Sequence, residues 1–463
     1  MYLGLKQSGL TLGEAADFCG GELFGASKDA RFFSYSTDSR KISGGELFFA
    51  LCGEKFDAHR FVPDVISAGA LCAVVSKKPE ENIPHILVAD TRAALGAFAK
   101  NYYARFRSLT VGVTGSVGKT TTKEFIAAVL AEKYETAKTQ GNFNNEIGLP
   151  MTLLAFEAPK NALVAEMGMS ARGEISRLTR IACPDIAVIT NIGSSHLESL
   201  GTRENIALAK LEITEGLSPD GLLIANGDEP LLEGAKSFFK NTLFVSLIDK
   251  NRDYFAYNIK EEQGFTYFTY NSPKHTGENA KIPAAGRHNV YNALCAVAVG
   301  EAAGLTREQI SAGLLAFTGA AMRAEATRRG DVTVVEDCYN ASPESMRASL
   351  DVLCGGAYGT GRKIAFLGDM RELGADSAKM HFGVGKYAAE KGAHVLFTFG
   401  ENALEIARGA QSAGMAEESI FRITDVENAE AAAQKLKEII KKDDVILFKA
   451  SRALKLERVS SKI

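Results

Sequence analysis

The segment VGVTGSVGKTTTKEF, residues 111–125, constrains the fold more than any other stretch of this 463-residue chain. A strand-type run, LTVGV, ends in a turn with glycines at 115 and 118, and KTTTKEFIAAVLAEKY continues as an amphipathic helix pattern. A strand that stops abruptly, with a helix N-terminus behind the turn, points several backbone N–H groups at one centre and so cradles phosphate. The cradle would run through Gly115, Ser116, Val117, Gly118, Lys119, Thr120 and Thr121. Lys119 would reach the β- and γ-phosphates, and the Thr120 hydroxyl would meet Mg²⁺. The usual spacing G-x-x-x-x-G-K-[ST] asks for glycine at position 113, where this chain has Val113. That position belongs to the end of the strand, so the cradle does not depend on it. The alternative is a glycine-rich strand–helix turn carrying a surface lysine.

Around this loop, apolar runs alternate with helical patterns. ALVAEMG, DIAVITNIG and GLLIANGDE read as buried strands of a parallel sheet. DYFAYNIKEEQGFTYFTYN alternates around Gly264 and reads as an antiparallel hairpin appended to that sheet. VTVVEDCY, KIAFLGDM, HVLFTFG and DVILFKAS predict a second, smaller doubly wound sheet. The expected architecture is α/β in three domains, at 1–106, 107–319 and 320–463. The first is small and mixed, the second a P-loop ATPase-type sheet, and the third Rossmann-like.

A net charge of -3 leaves no basic footprint for nucleic acid or an anionic membrane. No apolar run reaches the roughly 18 residues needed to cross a bilayer, and the start MYLGLKQSGLTLGEAADFCGG lacks the pattern of a secretory leader. The 7 cysteines show no metal-ligand spacing and read as small buried side chains in a reducing compartment. A cytoplasmic protein is expected.

Glu166 ends the run NALVAEMG, and His196 follows a strand and a glycine turn in ITNIGSSHLESL. Either could be a strand-end site residue or merely the first polar position beyond a strand. Parallel sheets build their sites at the C-terminal ends of the strands, where Lys119, Glu166 and His196 would converge.

The stretches TGSVGKTTT, GNFNNEIGLP, AEMGMSARGEI, ITNIGSSHLE, GRHNVYNALCA and DCYNASPESM occur in the order characteristic of the Mur ligases. The chain thus resembles the ATP-dependent amide-forming enzymes that build the peptidoglycan precursor, over nearly its whole length. Their phosphate loop reads T-G-x-x-G-K-T, without the earlier glycine. Within the family, DCYNASPESM and LGDMRELGADSAKMH resemble the C-terminal signatures of members that add D-alanyl-D-alanine to UDP-N-acetylmuramoyl-tripeptide. A D-Y-A-H-x-P stretch would be expected of those adding the third residue. A guanine-reading N-K-x-D motif, which a GTPase-type switch would carry, is missing from the sequence.

The resemblance implies a set of roles, residue by residue. Lys119, Lys210, His196 and Arg323 would be catalytic, with ATP and Mg²⁺ as cofactors. Thr120, Glu166, His196 and Lys210, the last as a carbamate, would place the metal ions. Asn292 would read adenine, Asp337 the ribose, and Arg323 the phosphates. CO₂ adds only to a neutral amine, which suits a buried lysine; by its position alone, Lys210 in ENIALAKLEI reads as an ordinary helix-surface residue. Ser39 and Arg40 would lie near the uridine nucleotide, with His59 either there or in a turn. Asn145, with Asn142 as the other candidate, Asn340, Ser342 and Pro343 would contact substrate. Asn289 could equally be a packing or capping group. A monomer is expected, with the two substrates as partners, no nucleic acid and no membrane insertion. In LFKASRALKLERV, Ala450 stands where the family has glycine, which puts close substrate approach there in doubt. A catalytically silent protein keeping the fold is the reading this departure keeps open.

Overall fold

The structure, a computed structural model, describes residues 9–463 except 54–55, 81–82 and 107. The first eight residues of the stretch read as lacking a leader, and Arg107 at the expected start of the second domain, lie outside the described residues.

Besides a two-stranded pair of Leu10–Thr11 with Arg31–Phe32, three larger sheets follow one another along the chain. The first has five strands in the order Glu22–Phe24, His85–Leu87, Cys72–Val75, Leu47–Phe49 and Tyr35–Ser36, parallel except for the first pair. The central sheet has nine strands. Its parallel part places Leu109–Thr114 between Ile186–Ile189 and Ala162–Glu166. Tyr254–Glu262, Phe265–Asn271 and Glu278–Ile282 form the antiparallel extension, with the turn at Gly264 as expected. The third sheet has six strands. Besides the expected four, it contains Ile420–Ile423 and an antiparallel edge strand, Glu325–Arg329.

The central strands read as continuous apolar runs because both faces are covered. Ala162 and Val164 point into a core with Phe125, Val129 and Leu294, whereas Leu163 and Ala165 point into another that includes Phe98, Leu149 and Leu178. The second core is shared with the first unit, whose helix Thr91–Tyr103 packs there through Leu95, Phe98 and Ala99. Such two-sided burial leaves only the strand ends for polar chemistry. Among the cysteines, Cys19, Cys72, Cys295 and Cys338 are buried as expected, but Cys52 and Cys183 are exposed.

Candidate active site

The loop after Leu109–Thr114 is shaped by the end of the neighbouring strand. The Thr190 hydroxyl donates to the Val117 carbonyl at 2.6 Å. Asn191 accepts from the Val117 N–H through Oδ1 at 2.9 Å and from the Ser116 N–H through its carbonyl at 3.1 Å. Gly115 has φ +145°, and a Cβ there would lie 1.9 Å from Thr190 Oγ1. Gly118, at φ +87°, precedes the helix Lys119–Ala131, and a Cβ there would lie 2.8 Å from Asn292 Oδ1. Both glycines are therefore required by space as well as by conformation. A Gly115→Ala variant is expected to stay folded but lose ATP affinity by about tenfold or more, since the strain alone is worth about 1–3 kcal/mol. Titration with a fluorescent ATP analogue reads this directly.

Inside the loop, Lys119 Nζ donates to the carbonyls of Gly115 (2.8 Å) and Ser116 (3.4 Å). Desolvation lowers its pKa; Glu166 counters this shift and Arg323 adds to it. The Ser116 hydroxyl is buried without a protein partner. A second cation close to Lys119 and an orphaned hydroxyl in a nest of N–H groups both suit an anion.

Glu166 is 2% exposed and closes one side of the cradle. Its Oε2 accepts from the Thr120 hydroxyl and its Oε1 from the Asn144 amide, both at 2.9 Å. Buried Lys123 stands 3.9 Å from the same carboxylate and donates to the Thr139 carbonyl at 2.8 Å. In GNFNNEIGLP the residue brought to Glu166 is thus Asn144. Asn145 also lines the cavity, but its side-chain oxygen caps the next helix by accepting from the N–H groups of Ile147 and Gly148. Asn142 is exposed and not part of the lining. The neighbouring asparagines at 144 and 145 divide the two tasks, which spacing alone could not assign.

The loop opens into a cavity of about 930 Å³ between the central and third sheets. Arg323 enters from the third unit, flanked by Met322 and Ala324 at positive φ (57° and 56°), with its guanidinium 4.5 Å from the centre of the Tyr339 ring. Asp337 Oδ2 is held by the Ser349 hydroxyl at 2.6 Å and by buried Lys449 at 2.7 Å. Asp337 lines the cavity. Lys449 also donates to the Asn340 carbonyl at 3.2 Å. Asn340 and Ser342 line the cavity, and Ser342 caps the helix Pro343–Gly355. From that helix Glu344 reaches the central unit, where Oε1 accepts from the N–H (3.0 Å) and hydroxyl (2.7 Å) of Ser194.

On the helix Arg287–Ala302, Asn292 lines the cavity and accepts from the Thr122 hydroxyl at 2.9 Å. Asn289 accepts from the Asn292 amide at 3.0 Å and donates to the Ala285 carbonyl at 2.7 Å. Asn289 therefore orients Asn292, and it too lines the cavity.

His196 lines the cavity, with Nδ1 2.5 Å from Glu372 Oε2. Lys210 is 1% exposed, so it is not the helix-surface lysine its position suggests. It is not part of the cavity lining. Burial, with Lys119 adding to it, holds its pKa well below the ordinary lysine range.

Ser39 and Arg40 do not line this cavity. Arg40 is 85% exposed in its side chain and pairs with Asp38 at 2.8 Å. His59 lies in the short 3₁₀ helix Ala58–Phe61: its Nε2 accepts from the Ser76 N–H at 2.9 Å, and its Nδ1 lies 2.6 Å from Asp57 Oδ1. Ala450 is buried, its methyl packed beside Gly368, and lies outside the lining. The alanine thus meets core atoms, not the cavity.

A phosphate cradle at the C-terminal ends of parallel strands, faced across a cleft by an arginine and a fixed carboxylate from another α/β unit, defines a nucleotide-binding enzyme whose site is shared between domains. The Mur ligase middle domain matches residues 113–300, the Mur ligase glutamate ligase domain residues 322–452, and the Mur ligase catalytic domain residues 34–103. The chain is 42% identical to the UDP-N-acetylmuramoyl-tripeptide–D-alanyl-D-alanine ligase of Bacillus subtilis, over 92% of this chain and 91% of that one. This chain belongs to the Mur ligase family. Among solved structures it is similar to MurF from Acinetobacter baumannii, with a TM-score of 0.90 and 30% identity over 98% of both chains. It is also similar to MurF from Thermotoga maritima in complex with ADP, with a TM-score of 0.83 and 30% identity over 92% of this chain and 96% of that one.

Proposed function

We propose that this protein joins D-alanyl-D-alanine to UDP-N-acetylmuramoyl-tripeptide at the expense of ATP. The observation that carries this is the two-sided site: a phosphate cradle in one unit completed by Arg323 and Asp337 of another, in a chain aligned almost end to end with ligases of that name. A substrate carboxylate attacks the γ-phosphate, giving an acyl phosphate and ADP. The dipeptide amine then attacks the acyl carbon, and phosphate leaves. Such chemistry calls for charge neutralisation and alignment more than covalent help.

Lys119 and Arg323 neutralise the transferring group, the loop N–H groups hold the phosphates, and Asn292 and Asp337 take the adenine and ribose. Thr120 and Glu166 would supply hard oxygen donors of the kind Mg²⁺ prefers. Among the described residues no three His, Cys, Asp or Glu side chains form a metal cage of their own, so these few protein donors fit an ion that arrives with a nucleotide. His196 would hold a second Mg²⁺. Bound Mg²⁺ would offset charge on the phosphate oxygens.

Burial, with Lys119 adding to it, lowers the Lys210 pKa well below the ordinary lysine range, which favours the neutral amine to which CO₂ can add, and the resulting carbamate would orient metal. A lysine held below its ordinary pKa also weakens the fold. Between its lowered value in the folded chain and the ordinary 10.5, the unfolded chain binds more protons there than the folded one, so stability rises with pH toward that value. A Lys210→Met variant should therefore lose ligation yet unfold at a higher temperature than wild type in metal-free, CO₂-free buffer near neutrality. The advantage should shrink as pH approaches the ordinary lysine range. Thermal scans across pH, beside an activity assay, check both halves.

Residues 1–106 would hold the uridine nucleotide near Ser39 and Arg40, residues 107–319 ATP, and residues 320–463 the dipeptide near Asn340 and Ser342, with Asn145 a further substrate contact. Both halves of the ATP cavity come from one chain, which suits a monomer, and dependence on ATP suits the cytoplasm. The test is phosphate release from ATP and Mg²⁺ with the tripeptide substrate present and the dipeptide added or withheld, with mass detection of the pentapeptide. Release that ignores D-alanyl-D-alanine but responds to another amino acid would overturn the substrate assignment.

A further inference from the structure

The signature LGDMRELGADSAKMH contains a side chain whose place in the fold gives it a task. Glu372 lies in the loop after the strand Lys363–Gly368 of the third unit and reaches across the cleft to the central one. Its Oε2 stands 2.5 Å from His196 Nδ1, and its backbone carbonyl accepts from the Glu198 N–H at 3.1 Å. His196 and Glu372 both adopt the left-handed conformation, at φ +67° and +65°. Non-glycine residues keep that conformation only where their surroundings hold them, and such strain gathers at functional sites. Gly374, at φ +61°, allows the close approach, since a Cβ there would lie 3.3 Å from Glu198 Cα.

The loop is anchored from behind as well. The Arg371 N–H donates to the Ser451 hydroxyl at 2.9 Å, and the Ser451 N–H donates to the Asp369 carbonyl at 3.1 Å. Part of the terminal KASR stretch therefore braces the backbone that presents Glu372. The Glu372 side chain is 55% exposed, so core packing does not explain its place.

We propose that Glu372 is a positioning residue for His196: its carboxylate accepts the hydrogen bond of Nδ1–H, fixes that neutral tautomer, and leaves Nε2 with its lone pair as the ligand for the second Mg²⁺. A carboxylate on the far nitrogen of a ligating histidine sets tautomer and ring orientation and raises basicity. Because the two residues come from different units, the metal site is complete only when the third unit is docked. The inference rests on the reading of His196 as a metal-placing residue given above.

The test uses the full-length protein and has two parts. With ¹⁵N-labelled histidine and no metal, the His196 resonances should show a protonated Nδ1 and an unprotonated Nε2 in wild type, and a loss of this single tautomer in Glu372→Ala. With a non-hydrolysable ATP analogue bound, Mn²⁺ titration followed by electron paramagnetic resonance should show the weaker site losing about 10–100-fold in affinity in Glu372→Ala. Glu372→Gln, which keeps an accepting oxygen, should lose less. Glu344→Ala loosens the other tether between the units without touching His196, and should disturb the tautomer and Mn²⁺ affinity less than Glu372→Ala does.

A doubly protonated His196 in wild type overturns the proposal, and so do unchanged Mn²⁺ affinity in Glu372→Ala or an equal loss in Glu344→Ala. Should Glu372→Ala fail to fold, the wild-type tautomer decides. Wild type that ligates while Glu372→Ala keeps its metal affinity sinks the proposal alone. Wild type that shows the tautomer and the Mn²⁺ loss but never ligates sinks the functional reading alone.

Discussion

Replacing Lys119 by alanine is expected to lower kcat for pentapeptide formation by about 10²–10³-fold, the loss that follows removal of one preorganised charge-stabilising donor. The lysine is held in place by the carbonyls of Gly115 and Ser116, at the start of the helix Lys119–Ala131, whose N-cap Gly118 carries no side-chain cap. It therefore needs no rearrangement to meet charge developing on a phosphoryl group. Burial depresses its pKa, and Arg323 adds a smaller push in the same direction, which an anion between the two cations would relieve. Lys119→Ala removes a cation from a crowded positive site, so the fold should not suffer. Unchanged circular dichroism and thermal unfolding, beside the kinetic loss, would place the effect in the transition state. A variant with normal kcat would show that the loop only binds nucleotide.

Glu166→Ala is expected to damage both chemistry and fold. The carboxylate accepts from Thr120 and Asn144 and lies beside buried Lys123. Removing it leaves polar groups unpaired in the interior, at a cost of about 1–3 kcal/mol, and the urea midpoint should fall. The oxygen that would meet Mg²⁺ goes with it, so kcat should drop by about 10²–10³-fold and the Mg²⁺ needed for half-maximal rate should rise. Glu166→Gln keeps the shape and an accepting oxygen. It should recover most of the stability but little of the rate, which separates the structural share from the electrostatic one. Progress curves over a Mg²⁺ series and urea melts of both variants decide the matter.

The loop was legible because its requirements are local. A strand, glycines at 115 and 118 and a Lys-Thr pair at a helix start state the geometry within fifteen residues of chain, and the structure explains each glycine by the atom it must clear. Glu166 and His196 were legible at one remove, since buried runs of a parallel sheet must end together on one side. The asparagine beside Glu166 was not legible. Asn144 and Asn145 differ only in which way a short turn points them, and one caps a helix while the other meets the carboxylate. The burial of Lys210 was equally hidden, because its helix shows a lysine in a sequence position that packing alone turns inward.

By itself, the sequence determined the alternation of strands and helices, the cradle and the membership of a ligase family, because these rest on period, turn chemistry and motif order over short spans. Only the tertiary structure decided which face of the third unit meets the central one. Ser194 and Glu344 are 150 positions apart, and His196 and Glu372 are joined across the same cleft. Contacts of that kind follow from how two finished sheets dock, and no local pattern in either segment encodes the partner it will find.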